Sequence, residues 1–256
     1  MLEDATLMTA AAAAFIVAVA GLVHGTLGLG FPLVATPLLA LMTDVRSAIL
    51  LTLLPTVAVN LASLLRGGGW SQSIGRFWPL ALWAVAGSVA GSRLLVAVDP
   101  APFELLLAAL VMLYLWASSR RDFRLPWLRE HPSLGMLVFG VLAGFAAGTT
   151  NVMVPLLVIY ALEYGLGRTA SVQVFNLCFM AGKLSQMAVF AGAGLLTGPV
   201  VLATTPLALL GLCTLAAGML VRERIPTATY RRIVRHVLLG LALLLLGRFA
   251  AGLAGY

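Results

Sequence analysis

Apolar runs of about 20 residues recur from one end of this chain to the other. Each is long enough to cross a hydrocarbon core of roughly 30 Å as a helix. Inside a bilayer no water satisfies backbone N–H and C=O groups, so runs of this kind must close their hydrogen bonds within the segment and be helical. Over 256 residues the chain is 61% hydrophobic and 10% charged. A soluble domain of that size could not cover its surface with so few charges. The fold class expected is therefore an all-α polytopic membrane protein.

Within this pattern one irregularity occurs twice. Gly21 to Pro37 reads GLVHGTLGLGFPLVATP, and Gly140 to Pro155 reads GVLAGFAAGTTNVMVP. In each, an apolar helix runs into a polar, glycine-bearing break and restarts at a proline-containing apolar segment. By eye Gly21 aligns with Gly140 and Gly25 with Gly144. After a one-residue gap Gly30 aligns with Gly148 and Pro37 with Pro155. The echo continues, with Arg46-Ser47-Ala48 recurring as Arg168-Thr169-Ala170, and Gly91 and Phe103 matching Gly218 and Tyr230 in spacing. A duplicated chain results: a first membrane repeat at 1–119, a basic linker at 120–131 and a second membrane repeat at 132–256. Each repeat holds a broken segment followed by three helices. Gly87 and Gly91 have the spacing that permits close helix packing.

The net charge of +7 raises the question of nucleic acid, but the basic residues cluster in short connections beside apolar spans. Arg120, Arg121, Arg124 and Arg129 form one cluster; Arg222, Arg224, Arg231, Arg232 and Arg235 form another. Membrane orientation explains both, so no nucleic-acid partner is expected. If each broken segment crossed once, the two clusters would fall on opposite sides. If each enters and returns on the same side, both clusters, with Arg66 and Arg76, face the cytoplasm. Glu3, Asp4, Asp44 and Asp99 then face outward. Each half has an odd number of crossings, and the halves are inverted relative to each other. The opening MLEDATLM lacks a basic stretch, so the first run reads as a retained span. Cys178 and Cys213 lie in apolar spans without metal-ligand spacing and read as packing residues.

Lys183 is the single lysine among sixteen Lys and Arg residues. It sits about nine residues from the nearer end of its helix, on the order of 13 Å at the helical rise. A lysine stem cannot snorkel that far, so its ammonium must meet a partner inside the bundle. No acidic residue stands at mid-depth, since Glu104 and Glu163 fall near segment ends. An unpaired deep cation suggests an anionic ligand; a structural ion pair or a neutral lysine is the bland alternative. Helices restarting at the breaks present N–H groups and the positive end of the dipole, near Gly28, Gly30 and Phe31 in one half and Gly148 and Asn151 in the other. Thr26, Thr149, Thr150 and Asn151 add neutral donors for a small oxyanion, or simply cap the broken helices. His24 could donate to an anion or carry a proton, or be a satisfied packing histidine. Asn60 and Asn176 lie on the helices after the breaks, with Gln173, Ser185 and Gln186. Asn60 aligns with Gly182, next to Lys183, so that both helices face one site. Interhelical hydrogen bonding is the competing explanation. Arg93 and Arg248 read as snorkelling residues. No catalytic set or cofactor motif emerges, so no enzyme and no cofactor are expected.

At these motifs, Gly21-x-x-x-Gly25-x-x-Gly28-x-Gly30 with Pro37 and Gly140-x-x-x-Gly144 with Gly148 and Pro155, the chain resembles the TauE/SafE family of sulfite and organosulfonate permeases. It departs from the family's fuller glycine run at Phe31-Pro32 and Thr149-Thr150-Asn151. The resemblance implies transport of small sulfur-containing or related organic anions across a bacterial inner membrane. The expected function is a secondary transporter, acting as an exporter. It would bind a small anion between the breaks with Lys183 as counter-charge, and rock one half against the other. Export needs no coupling ion, whereas uptake would need proton or sodium coupling. A membrane scaffold that holds a partner protein through its glycine-rich helix faces is the reading from another class.

Overall fold

The computed structural model describes residues 2–67, 70–120, 125–222 and 227–253. Arg121, Arg124, Arg224, Gly68 and Gly69 lie outside the described residues, as do the side chains of Glu3, Asp4, Arg222, Tyr230, Arg231 and Arg232. The described residues form helices and no strand: α1 (Leu2–Leu27), α2 (Phe31–Met42), α3 (Val45–Arg66), α4 (Trp70–Ala97), α5 (Ala101–Ala117), α6 (Pro126–Glu130), α7 (Pro132–Thr150), α8 (Val154–Glu163), α9 (Arg168–Gly192), α10 (Gly198–Arg222) and α11 (Thr227–Leu253). Six of them are long and apolar enough to cross a membrane. Bulky apolar side chains such as Phe15, Leu202 and Leu220 stand exposed on the outside, as a lipid-facing surface requires. Cys178 is buried, whereas Cys213 is exposed, because α10 lies at the rim with few of its side chains covered.

Local sequence accounts for the helix boundaries. Asp44 caps α3 by accepting from the N–H groups of Arg46 and Ser47 at 2.8 and 3.0 Å, a standard N-cap. Proline occupies the first turn of α2, α5, α6, α7 and α8, where its missing N–H costs nothing. The short α6 inside the basic linker had no signal in the apolar pattern.

The five helices α1–α5 and the set α7–α11 repeat one order: a broken pair followed by three helices. The two sets are interleaved. α1 packs most extensively on α10, and α7 on α4. Glycine decides this, since a Cβ added at Gly25 would lie 2.2 Å from the Leu215 carbonyl oxygen, and one at Gly144 2.0 Å from that of Ala84. Backbones approach this closely only where side chains are absent. The fourth helix of each half is thereby held by the first helix of the other. The halves are therefore interleaved rather than separate bodies. The two bundles in the structure are composite, α1 with α3 and α10, and α4 with α7 and α9.

The packing also revises the alignment of the halves. Gly21 faces the Gly211 carbonyl, and Gly25 faces Leu215 and Met219; Gly144 faces the Ala84 carbonyl, and Gly148 faces Ser88 and Ser92. Gly21 thus corresponds to Gly144 and Gly25 to Gly148, one helical turn beyond the alignment by eye. Glycines spaced four apart at 140, 144 and 148 match each other equally well after a one-turn slip, so glycine matching alone is degenerate. The breaks remove the ambiguity. Gly28 and Asn151 both have a left-handed backbone, φ 84 and 64, and Phe31-Pro32 and Val154-Pro155 both open the second helix. Val45 and Arg168 both open the next one. No gap is needed, Pro37 falls inside α2, and Asn60 corresponds to Lys183 itself rather than to Gly182.

The second broken pair turns back toward the element that precedes it. Glu163, at the end of α8, accepts from the Leu125 N–H at 2.7 Å and from Arg129 at 2.9 Å, and Arg129 also donates to the Glu163 carbonyl at 2.6 Å. The α7–α8 pair therefore closes on α6, the element just before it. At the other end of the bundle, Arg248 donates to the carbonyls of Ala40, Leu41 and Thr43 at the end of α2 and lies 3.5 Å from Glu104. Arg248 was expected to snorkel. It is instead a cap, because the last carbonyls of a helix need donors wherever water is scarce. Replacing Glu163 with alanine strands the Leu125 N–H and unpins Arg129. The expected loss is about 1–3 kcal/mol, to be read as a lowered melting temperature in detergent.

Candidate functional site

The helices that follow the breaks, α3 and α9, pack against each other near the centre of the molecule. Both carry a polar stripe at helical spacing. On α9 it comprises Gln173, Asn176, Lys183 and Gln186, all essentially buried. On α3 it comprises Thr52, Thr56 and Asn60, each fully buried, and the half-buried Ser63. Each stripe connects the two breaks. Asn176 donates to the Gly28 carbonyl of the first break at 3.2 Å, while Gln186 donates to the Gly148 carbonyl beside the second at 2.9 Å. On α3, Ser63 meets His24 at the first break and Thr52 meets Asn151 at the second. The stripes run past each other in opposite directions and form a polar lane between the two breaks.

The first break is held by its own side chains. The Phe31 N–H donates to His24 Nδ1 at 3.3 Å, so that nitrogen carries no proton. The proton sits on Nε2, which faces Ser63 Oγ at 3.0 Å as donor. Both ring nitrogens are engaged, and His24 acts as the cap of α2. Gly28 and Gly30 adopt φ 84 and 103, which only glycine reaches without strain. The Thr26 hydroxyl donates to the Leu22 carbonyl, and Arg168 donates to the Thr26 carbonyl at 3.3 Å.

The second break is tied to the opposite half. Asn151, left-handed at the end of α7, donates to Thr36 Oγ1 at 2.9 Å and to Thr52 Oγ1 at 3.0 Å. Thr149 and Thr150 turn their hydroxyls back onto the carbonyls of Phe145 and Ala146. The expected threonine donors are thus spent on their own helices. Lys183 lies one turn from this break. Its ammonium donates to Gln186 Oε1, so that Lys183, Gln186 and the Gly148 carbonyl form a chain. Among the described residues the ion pairs are Arg129 with Glu163 and Arg248 with Glu104; neither touches Lys183.

The candidate residues therefore fall into two groups rather than one. His24, Thr26, Gly28, Gly30, Phe31 and Asn176 gather at the first break; Gly148, Thr149, Thr150, Asn151 and Lys183 gather at the second. The contacts on α9 that define them, around residues 176 and 186, are about 15 Å apart at the helical rise. Asn60 lies between, donating to the Thr56 carbonyl at 2.7 Å. Thr36, Thr52, Thr56 and Ser63 also belong to the lane. The i, i+4, i+8, i+11 spacing of polar residues from Thr52 to Ser63 in an otherwise apolar helix was the signal for three of them; Thr36 had none.

Two cavities open outside the lane. One of about 940 Å³ is bounded by α5, α8 and α11; Leu27 and Leu29 line it on either side of Gly28, as do Arg120, Arg235 and His236. The other, about 560 Å³, lies between α4 and α9 and is lined by Arg93 and Ser185. None of the candidate residues lines either of these two cavities, and Thr52, Thr56, Asn60, Lys183 and Gln186 in the lane are buried from the surface.

The candidate site thus consists of a deep lysine and a buried polar lane between two helix breaks, inside an apolar exterior. No curated protein and no solved structure matches the chain. The family model described as sulfite exporter TauE/SafE matches residues 13–245, nearly the whole of the sequence, and the chain belongs to the TauE/SafE family.

Proposed function

We propose that this protein exports sulfite or an organosulfonate across a bacterial inner membrane, binding it in the lane between the two breaks with Lys183 as counter-charge. The observation that carries the reading is the state of the donors. Asn176, Thr26, Thr149, Thr150 and the Asn151 amide are committed to protein acceptors. Lys183 has three donors and a single neutral acceptor, Gln186. A buried ammonium so placed favours an anion.

The halves have inverted topology in this reading, and the basic loops are cytoplasmic. The cavity lined by Arg120, Arg235 and His236 is then the cytoplasmic approach, and the groove at Arg93 the outer one. Access alternates as the composite bundles shift along the seam between α3 and α9. A negative interior drives the step, since each outward-moving negative charge gains roughly 2.3 kcal/mol per 100 mV.

The test is a thermal-shift screen of the purified protein against sulfite, sulfate, thiosulfate, taurine, sulfoacetate and chloride, with flux of the best ligand in liposomes. Stabilisation by one sulfur anion and saturable flux are expected. A flat screen, no flux and a stoichiometric partner in pull-downs would replace the carrier with a scaffold.

A further inference from the structure

The cavity of about 940 Å³ bounded by α5, α8 and α11 joins two kinds of wall. One is cationic, made by Arg120 just past the end of α5 and by Arg235 and His236 near the start of α11. The other is apolar, with Met112 and Leu115 on α5, Leu162 on α8 and Leu239 on α11. α5 and α11 run antiparallel, since Arg248 near the end of α11 meets Glu104 at the start of α5. The charges therefore gather at one end of the cavity, with Met112 and Leu239 about one turn further in. Among the described residues no carboxylate lines it. Glu163, next to Leu162, is buried and already takes Arg129 and the Leu125 N–H. The ion pairs among the described residues involve neither Arg120 nor Arg235; Arg120 lies over the Trp116 ring, 5.1 Å from its centroid. Ser118 and Ser119 also line the cavity, but their hydroxyls donate to the carbonyls of Leu115 and Trp116. Recognition at this end is therefore by charge.

Size and polarity choose the occupant. Cavities of about 300–1,000 Å³ take drug-sized ligands, so a small oxyanion would fill little of this one and gain nothing from its apolar wall. Met112, Trp116 and Leu239 are exposed on the outside, so the cavity opens sideways onto the surface that meets lipid. We propose that it holds an anionic phospholipid, with the phosphate at Arg120 and Arg235 and an acyl chain along Met112, Leu115 and Leu239. Lipid tails are as apolar as leucine wherever they lie, so the apolar wall admits the chain while the arginines select the headgroup. Basic pockets between membrane helices recognise anionic headgroups in this way. Leu27 and Leu29 of the first break line the same cavity, so the bound lipid reaches the break itself. In the function proposed above this cavity is the cytoplasmic approach, and the lipid then competes with the entering anion. That competition rests on that reading; the lipid site does not.

The experiment titrates the delipidated full-length protein in detergent with dioleoylphosphatidylglycerol, dioleoylphosphatidylcholine or inorganic phosphate. Bound lipid is read by native mass spectrometry, and melting temperature is followed with and without sulfite. Phosphatidylglycerol should fill one saturable site at least ten times more tightly than phosphatidylcholine, and inorganic phosphate should have no effect. Arg120→Gln together with Arg235→Gln should remove the preference and leave phosphatidylcholine binding unchanged. Leu239→Trp keeps every charge but narrows the cavity, and should weaken phosphatidylglycerol at least tenfold. All three side chains are exposed, so the melting temperature without lipid should stay as in the wild type. Equal binding of the two lipids, or a preference that survives the arginine substitutions, overturns the proposal. So does a preference lost with the arginines but kept in Leu239→Trp, which marks a charged surface rather than a lipid cavity. Stabilisation by inorganic phosphate as large as that by phosphatidylglycerol overturns it too. A phosphatidylglycerol preference without any sulfite response would retain this site and discard the proposed function; a sulfite response without a lipid preference would do the opposite.

Discussion

Lys183→Met is expected to abolish anion-dependent stabilisation and to lower flux at least a hundredfold, while the protein remains folded. Methionine keeps most of the length and the apolar stem. The variant loses the ammonium and leaves Gln186 Oε1 without its donor, a cost of about 1–3 kcal/mol. Against that stands the removal of a charge that is 1% exposed and has no acidic partner among the described residues. Exchanging a buried charge for an apolar group is often neutral or stabilising when no counter-charge is orphaned. Melting temperature without ligand should therefore move by only a few degrees, while the response to the anion disappears. Unchanged affinity in a folded Lys183→Met protein would remove the central residue of the proposed site.

The second large effect concerns assembly. Gly144→Ala adds a single methyl group, which would lie 2.0 Å from the Ala84 carbonyl oxygen and 2.8 Å from its Cα. Both atoms are backbone, so no side chain can swing aside, and α7 must part from α4 along the most extensive contact in the molecule. Overpacking at such a contact costs several kcal/mol. Gly144→Ala should give little monodisperse protein on gel filtration, and Gly25→Ala should do the same through α10. Gly167→Ala is the control, because nothing lies within 4 Å of the added Cβ. Normal yield from Gly144→Ala would show that the glycine faces are not what holds α7 to α4.

The helical class, the two breaks and the isolation of Lys183 were legible because each follows from local composition. Long apolar runs, paired prolines and one basic residue among apolar neighbours need no knowledge of what packs against what. The register of the duplication was not legible, since glycines four apart can slip by a turn; only the positive φ of Gly28 and Asn151 and the partners across the interface remove the slip. Nor was it visible that the threonines at the second break would spend their protons on their own helix, or that His24 would use both nitrogens at the first. Donor direction is a property of rotamers and neighbours, and sequence spacing does not carry it.

The exchange of fourth helices between the halves has a consequence for biosynthesis. When a ribosome has completed α1–α5, the glycine face of α1 is already made, but α10, which fills it, does not yet exist. Likewise α4 waits for α7. The first half therefore stays in the bilayer with two unfilled glycine faces until the second is inserted, and is not a finished domain by itself. By the same reasoning, cutting the chain in the linker and expressing both pieces together should restore the protein, whereas either piece alone should be degraded.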